Sequence, residues 1–156
     1  MSLAAVLVGA GSPAVAQSGD AQRFRVVFGG TTRSGAGVRG VSTGGRASNV
    51  VPEVLDPETG SFVETDRFTF SAGTLDVVFA GTVHGFFSDP RTCVARPSGS
   101  GTWDVVDSSG RYEGASGGGA FTFTAILVFP RGPQGCGEEP RFTLAVVDAR
   151  GTLLLS

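Results

Sequence analysis

Few side chains in this chain could carry conventional chemistry. His84 is the only histidine, so any Ser-His or Cys-His nucleophilic arrangement must use it. The work open to it is general acid-base transfer. Asp76 is the only carboxylate on the same predicted strand, residues 74–87, and a half-exposed strand histidine explains His84 equally well. Cys93 and Cys136 with one distant histidine fall short of a zinc-ligand set, so no metal is expected. Gly117-Gly118-Gly119 lacks the Lys-Ser/Thr of a phosphate loop and reads as a flexible turn or bulge. No cofactor signature is left. The net charge of −2, with all twelve basic residues arginine, offers no basic patch for nucleic acid or an anionic membrane surface.

These residues must be held by β-structure. Twenty-five glycines, twelve phenylalanines and eight prolines in 156 residues suit short strands and many turns, and no helical period of useful length occurs. The stretch Gly101–Phe129 reads as strand, turn, strand. Trp103 and Val105 alternate with polar neighbours, then Asp107-Ser108-Ser109-Gly110 breaks the run. Phe121, Phe123, Ala125, Leu127 and Phe129 alternate with Thr122, Thr124, Ile126 and Val128, which puts five apolar side chains on one face. The connection 110–119 is too long for a two-residue hairpin loop.

Phe24, Val26 and Phe28 predict a first strand with one wet face. Residues 29–47 form either a loop or a short strand near Val38–Ser42, and Val50–Leu55, interrupted by Pro52, is at best an edge strand. Asp56-Pro57-Glu58-Thr59-Gly60 is a turn. Within Ser61–Ala72, Phe62, Phe68 and Phe70 share parity with Glu64 and Asp66. A bulge near Asp66-Arg67 or solvent exposure reconciles this more simply than two carboxyl groups pointing into a cavity. Along Thr74–Phe87, Leu75, Val77, Phe79, Val83 and Phe87 share a face that Gly81 and Gly85 thin out. Such gaps let a strand coil or leave room for a ligand. Arg141–Val147, a turn at Asp148–Gly151 and a last strand Thr152–Leu155 complete the count. Seven to nine strands predict an all-β fold: a single antiparallel up-and-down β-barrel of about eight strands.

Two segments resemble a known superfamily. Ser109-Gly110-Arg111-Tyr112-Glu113-Gly114-Ala115-Ser116-Gly117 is similar to the G-T-G-[RK]-[FY]-x-x-A-x-G segment of dirigent and allene oxide cyclase barrels, with serine where threonine is usual. Phe68-x-Phe70-x-x-Gly73-Thr74-Leu75 resembles their F-x-F…G-T-L run, and the likeness spans about Phe62 to Phe129. It implies an eight-stranded antiparallel barrel with an apolar interior, of a kind that steers or cyclises small hydrophobic molecules. Tyr112, at the aromatic position of this turn, is expected to pack under the barrel. Trp103 suits either a ligand-facing or a core role.

Residues 1–16 resemble the h- and c-regions of a secretory signal peptide, although no basic residue precedes Arg23. Ala14-Val15-Ala16 places the mature start at Gln17, and nothing beyond the leader is long and apolar enough to span a bilayer. Residues 17–60 then form an N-terminal strand and glycine-rich segment, and residues 61–156 the barrel core, within one domain 22–156. In a meander the loops holding Cys93 and Cys136, separated by one intervening turn, fall at the same barrel end, so an exported chain can join them.

The expectation is a secreted barrel that holds a small hydrophobic molecule against Phe79, Gly81, Val83, Trp103, Phe121 and Phe123. A cyclase- or dirigent-type enzyme and a structural module with a packed interior are the alternatives. The composition leaves room for an oligomer and points to no nucleic-acid partner, no membrane insertion after processing and no cofactor.

Overall fold

Alternation with a period of two organises nearly every element. The structure, a computed structural model, describes residues 19–30, 34–39 and 45–156. The expected leader and the expected start at Gln17 lie outside the described residues. In β1 (Asp20–Gly30), Phe24, Val26 and Phe28 are buried while Arg25 and Val27 face out. The remaining strands are β2 (Ser34–Arg39), β3 (Arg46–Leu55), β4 (Ser61–Phe70), β5 (Gly73–Asp89), β6 (Val94–Gly110), β7 (Ser116–Val128), the two-residue β8 (Arg131–Gly132) and β9 (Gly135–Cys136), and β10 (Phe142–Leu154).

The eight long strands close an antiparallel barrel in the order β1-β10-β7-β6-β5-β4-β3-β2, so each is paired with its neighbours in the meander. β8 and β9 form a small hairpin in the β7–β10 connection. The up-and-down barrel is thus all-β, with the first three strands integral to its wall. Among the described residues there is no helix long and apolar enough to cross a membrane.

Several boundaries differ from the sequence expectation. The segment 29–47 contributes β2 at Ser34–Arg39; the expected strand at Val38–Ser42 runs past this into residues that are not described. β3 pairs with β2 only through Arg46–Ser48, and its bulged half around Pro52 pairs only with β4 among the described residues. That placement suits a residue with no backbone N–H. Strands β5 and β6 run on through the expected Ser88–Ser100 loop and leave only the turn Pro90–Cys93. The glycines Gly117–Gly119 are strand residues, paired with Leu153–Gly151 on β10. Asp148–Gly151 is no turn either: β10 runs straight through, paired with β1 on one side and β7 on the other. The Asp148 carboxylate takes hydrogen bonds from Arg23 and Arg150, which hold its pKa below the usual carboxylate range, with Arg23 the larger influence and burial opposing.

The barrel has a packed half and an open half. In the packed half Trp103, fully buried, stands edge-on to Phe24 at 5.0 Å between ring centroids, and Phe24 stacks on Phe68 at 4.8 Å. Leu75, Val77 and Leu153 fill the space around them, and Tyr112 closes the end against Phe70 at 5.3 Å. Each buried aromatic or aliphatic side chain contributes about 1.5–3 kcal/mol. The indole N–H donates to the Arg150 carbonyl at 3.2 Å, so its one polar atom is satisfied.

At the opposite end lie the turns 56–60 and 90–93 and the β7–β10 connection. Cys93 and Cys136 form a disulfide there, with Cα atoms 5.4 Å apart. The Arg131 guanidinium binds the carbonyls of Pro90 and Arg91, and the Phe129 N–H donates to the Cys93 carbonyl at 2.9 Å.

Candidate functional site: a cavity in the open half of the barrel

The open half encloses a cavity of about 240 Å³. Its origin is visible in one pair of strands. Where β7 meets β10, Ala125 lies directly opposite Ala145, flanked by Phe123 opposite Val147 and Leu127 opposite Thr143. All six line the cavity, and the two alanines fill far less space than the phenylalanines of the packed half. Phe28, Phe62, Phe79 and Phe121 form the floor and sides, and Leu55, Phe86 and Pro97 stand toward the open end. Phe86 is 64% exposed there.

The wall across the barrel carries carboxyl groups. β4 pairs with β5 without a break from Phe70↔Gly73 to Ser61↔Thr82, so β4 has no bulge at Asp66-Arg67. The irregularities lie in β3 instead, between Asn49 and Val51 and between Val51 and Val54. This corrects the expectation of a bulge or a solvent-facing stretch in β4. Because Phe62, Phe68 and Phe70 are all pinned inside, Glu64 and Asp66 between them must also point inward. Both line the cavity, together with Glu53 of β3.

Asp66 is only 2% exposed and accepts a hydrogen bond from the Asn49 side chain at 3.3 Å. Glu53, which is exposed, and the half-buried Glu64 each have an interaction within the protein, and Asp66 has a further one, as a buried carboxyl group requires.

Four of the residues expected from sequence to meet a ligand, Phe79, Val83, Phe121 and Phe123, surround this one cavity. Trp103 does not; it belongs to the packed half. Gly81 does not line the cavity either, and it leaves no gap. A side chain there would put Cβ 2.8 Å from Phe121 Cζ, 2.8 Å from the Ser100 carbonyl oxygen and 3.0 Å from Phe62 Cζ. The rings of Phe121 and Phe62 already occupy the space that the missing side chain frees.

Phe87, expected on the inner face, is replaced there by Phe86. The β5–β6 register shifts between Val83 and Gly85, and this one-residue slip at His84 exchanges the two faces beyond it. His84 itself points outward, with Nε2 2.8 Å from Ser100 Oγ and no place in the cavity lining.

Sequence reasoning placed Ala125 on the apolar face of its strand but named neither it nor Thr143, Ala145, Val147 and Glu53 as ligand contacts. The signal available was the alternation of Thr143, Ala145 and Val147 along β10, which puts smaller side chains on one face of that strand. Among the described residues no group of three or more His, Cys, Asp and Glu side chains could hold a metal ion. Compared with protein-family models, with curated proteins and with solved structures, the chain gives no match.

Proposed function

We propose that the open half of the barrel binds a small, predominantly apolar molecule. The observation that carries this reading is the contrast within one barrel. One half is closely packed around Trp103, whereas the other keeps a cavity walled by phenylalanine and alanine. An eight-stranded barrel is wide enough either to fill with side chains or to hold one small ligand, and this chain does each in turn along its axis. An apolar cavity of about 150 Å³ accepts benzene, and drug-sized ligands occupy about 300–1,000 Å³. A volume between these suits a molecule of one or two rings.

The test is calorimetric titration with toluene, indole and naphthalene, on the wild type and on Ala145→Phe. The new ring would fill the cavity from the alanine wall. Saturable binding that Ala145→Phe abolishes, with the melting temperature held or raised, is the expected result. No saturable binding of any of the three to the wild type overturns the proposal.

A second reading, a cyclase- or dirigent-type activity, follows from the resemblance in Phe62–Phe129. The carboxyl groups inside the cavity favour it, since they could exchange protons with a bound molecule. Turnover of a bound ligand, absent in Asp66→Asn, would distinguish catalysis from simple binding.

We also read the protein as exported. The leader-like residues 1–16 and the Cys93–Cys136 disulfide support this, because structural disulfides persist in oxidising compartments. Intact mass of the product from a secreting host should begin at Gln17, and a product retaining Met1 would overturn it.

A further inference from the structure

We propose that the outer wall of β1, β3 and β4 docks on an anionic lipid surface. This contact needs no ligand in the cavity. The outward side chains of these strands follow one order, arginine toward the packed half and aliphatic toward the open half. On β1, Arg23 and Arg25 precede Val27. On β3, Arg46 precedes Val50, Val51 and Val54, and on β4, read from the packed half, Arg67 precedes Val63. These valines are 43–71% exposed, and Val54 lies opposite Val63 in the ladder. Leu55, also exposed, carries the patch to the cavity mouth. An exposed apolar patch of this kind marks a contact site. Asp148 pairs with Arg23 and Asp76 with Arg67, whereas Arg25 and Arg46 are exposed and have no ion pair among the described residues. The net charge of −2 conceals this belt, because Asp104 and Asp107 stand on the far side of the barrel, on β6, and Asp56, Glu58, Glu138 and Glu139 lie in the turns and connections.

A lipid surface offers the complement of both belts, phosphates above an acyl boundary. The steps from Arg25 to Val27 and from Arg67 to Val63 cover about 7–13 Å of strand. Apolar side chains docked at a bilayer interface sink about 5–10 Å below the headgroups, so the arginines would stand at phosphate height. An arginine can bind a phosphate through two N–H groups while its stem lies along apolar surface. A second copy of the chain fits this wall less well. The open half of β3 pairs only with β4 among the described residues, but Pro52 lacks an N–H and register slips flank Val51, so this edge offers no regular ladder. Two copies meeting here would also bring arginines against arginines. A soluble polyanion would engage the arginines and leave the valines in water. Asp56 and Glu58, in the turn beyond Val54, keep the contact at the interface and out of the acyl core.

The experiment measures co-sedimentation with vesicles of phosphatidylcholine alone and of phosphatidylcholine and phosphatidylglycerol in equal parts. The wild type should bind the mixed vesicles, and bind phosphatidylcholine alone about tenfold more weakly or not at all. Arg25→Gln/Arg46→Gln should weaken binding to the mixed vesicles by about tenfold or more, the effect of two cationic side chains near an anionic surface. Val54→Ser/Val63→Ser should weaken it too, with every arginine intact. All four side chains are exposed, so both variants should keep the wild-type melting temperature. Absence of binding to the mixed vesicles would overturn the proposal, and dimerisation that the valine variant abolishes would then give the wall to a second copy. Binding that survives Val54→Ser/Val63→Ser and is fully competed by soluble inositol hexakisphosphate would overturn the lipid assignment in favour of a free polyanion.

Discussion

Gly81 shows how a residue can be read correctly for its face and wrongly for its consequence. Alternation placed it inside, between Phe79 and Val83, and the β5 pairing puts it opposite Gly101 on the inner wall. What alternation could not show is that rings from β4 and β7 reach across and cover it. The glycine therefore marks close packing, as Trp103 does, and the space lies over alanines that no glycine signal announced. Gly81→Ala should destabilise the protein by about 1–3 kcal/mol and Gly81→Leu by more, because one close neighbour is the Ser100 backbone oxygen, which cannot swing aside. Chemical denaturation of wild type and both variants checks this. Unchanged stability in Gly81→Leu would restore the gap and move the binding space toward β5 and β6. Ala145→Phe, on the other wall, should behave oppositely.

At the scale of elements, the strands were legible and their ends were not. Phe24–Phe28, Phe121–Leu127 and the inward phenylalanines of β4 announce themselves by period alone. Asp56–Gly60 is a turn as its residues demand, with Gly60 at φ 70° and the Asp56 carboxylate accepting from the Glu58 N–H at 2.9 Å and the Thr59 hydroxyl at 2.7 Å. Asp148-Ala149-Arg150-Gly151 has equally turn-prone residues yet stays extended. The difference lies in the neighbours: β1 and β7 offer a ladder on both sides of β10, and the Asp148–Arg23 pair ties β10 to β1. Tertiary pairing overrides local preference there. Parity fails for another reason. The slips at His84 and at Val106 each shift a strand by one residue, and no count of apolar positions reveals a shift that only the partner strand defines. The carboxyl wall was hidden by the same habit of reading, since two charged residues in an apolar phase were explained away by a bulge that lies in β3 instead.

Across the whole molecule, the packed half sustains the fold and the open end depends on a covalent tie. The barrel's largest fully buried side chains, Trp103, Phe24 and Phe68 among them, are far from the cavity mouth, where the exposed β7–β10 connection has little apolar burial of its own. The Cys93–Cys136 bridge closes 43 residues of sequence and fastens that connection to the β5–β6 turn. In the chain-entropy account a loop of this length contributes about 4 kcal/mol, acting on the unfolded chain. A domain of this size has about 5–15 kcal/mol of stability in all, so the protein without its bridge should still fold. Cys93→Ser/Cys136→Ser should therefore melt cooperatively, lower by on the order of 10 °C. Hydrogen exchange should show where the loss is felt. Amides around Trp103 and Phe24 should keep their rank as the slowest to exchange, whereas those of Val94–Ala95 and Val128–Phe129 beside the bridge should open by local fluctuation. A uniform acceleration across both halves would mean that the two ends share one cooperative unit and that the division between a packed and an open half has no counterpart in stability.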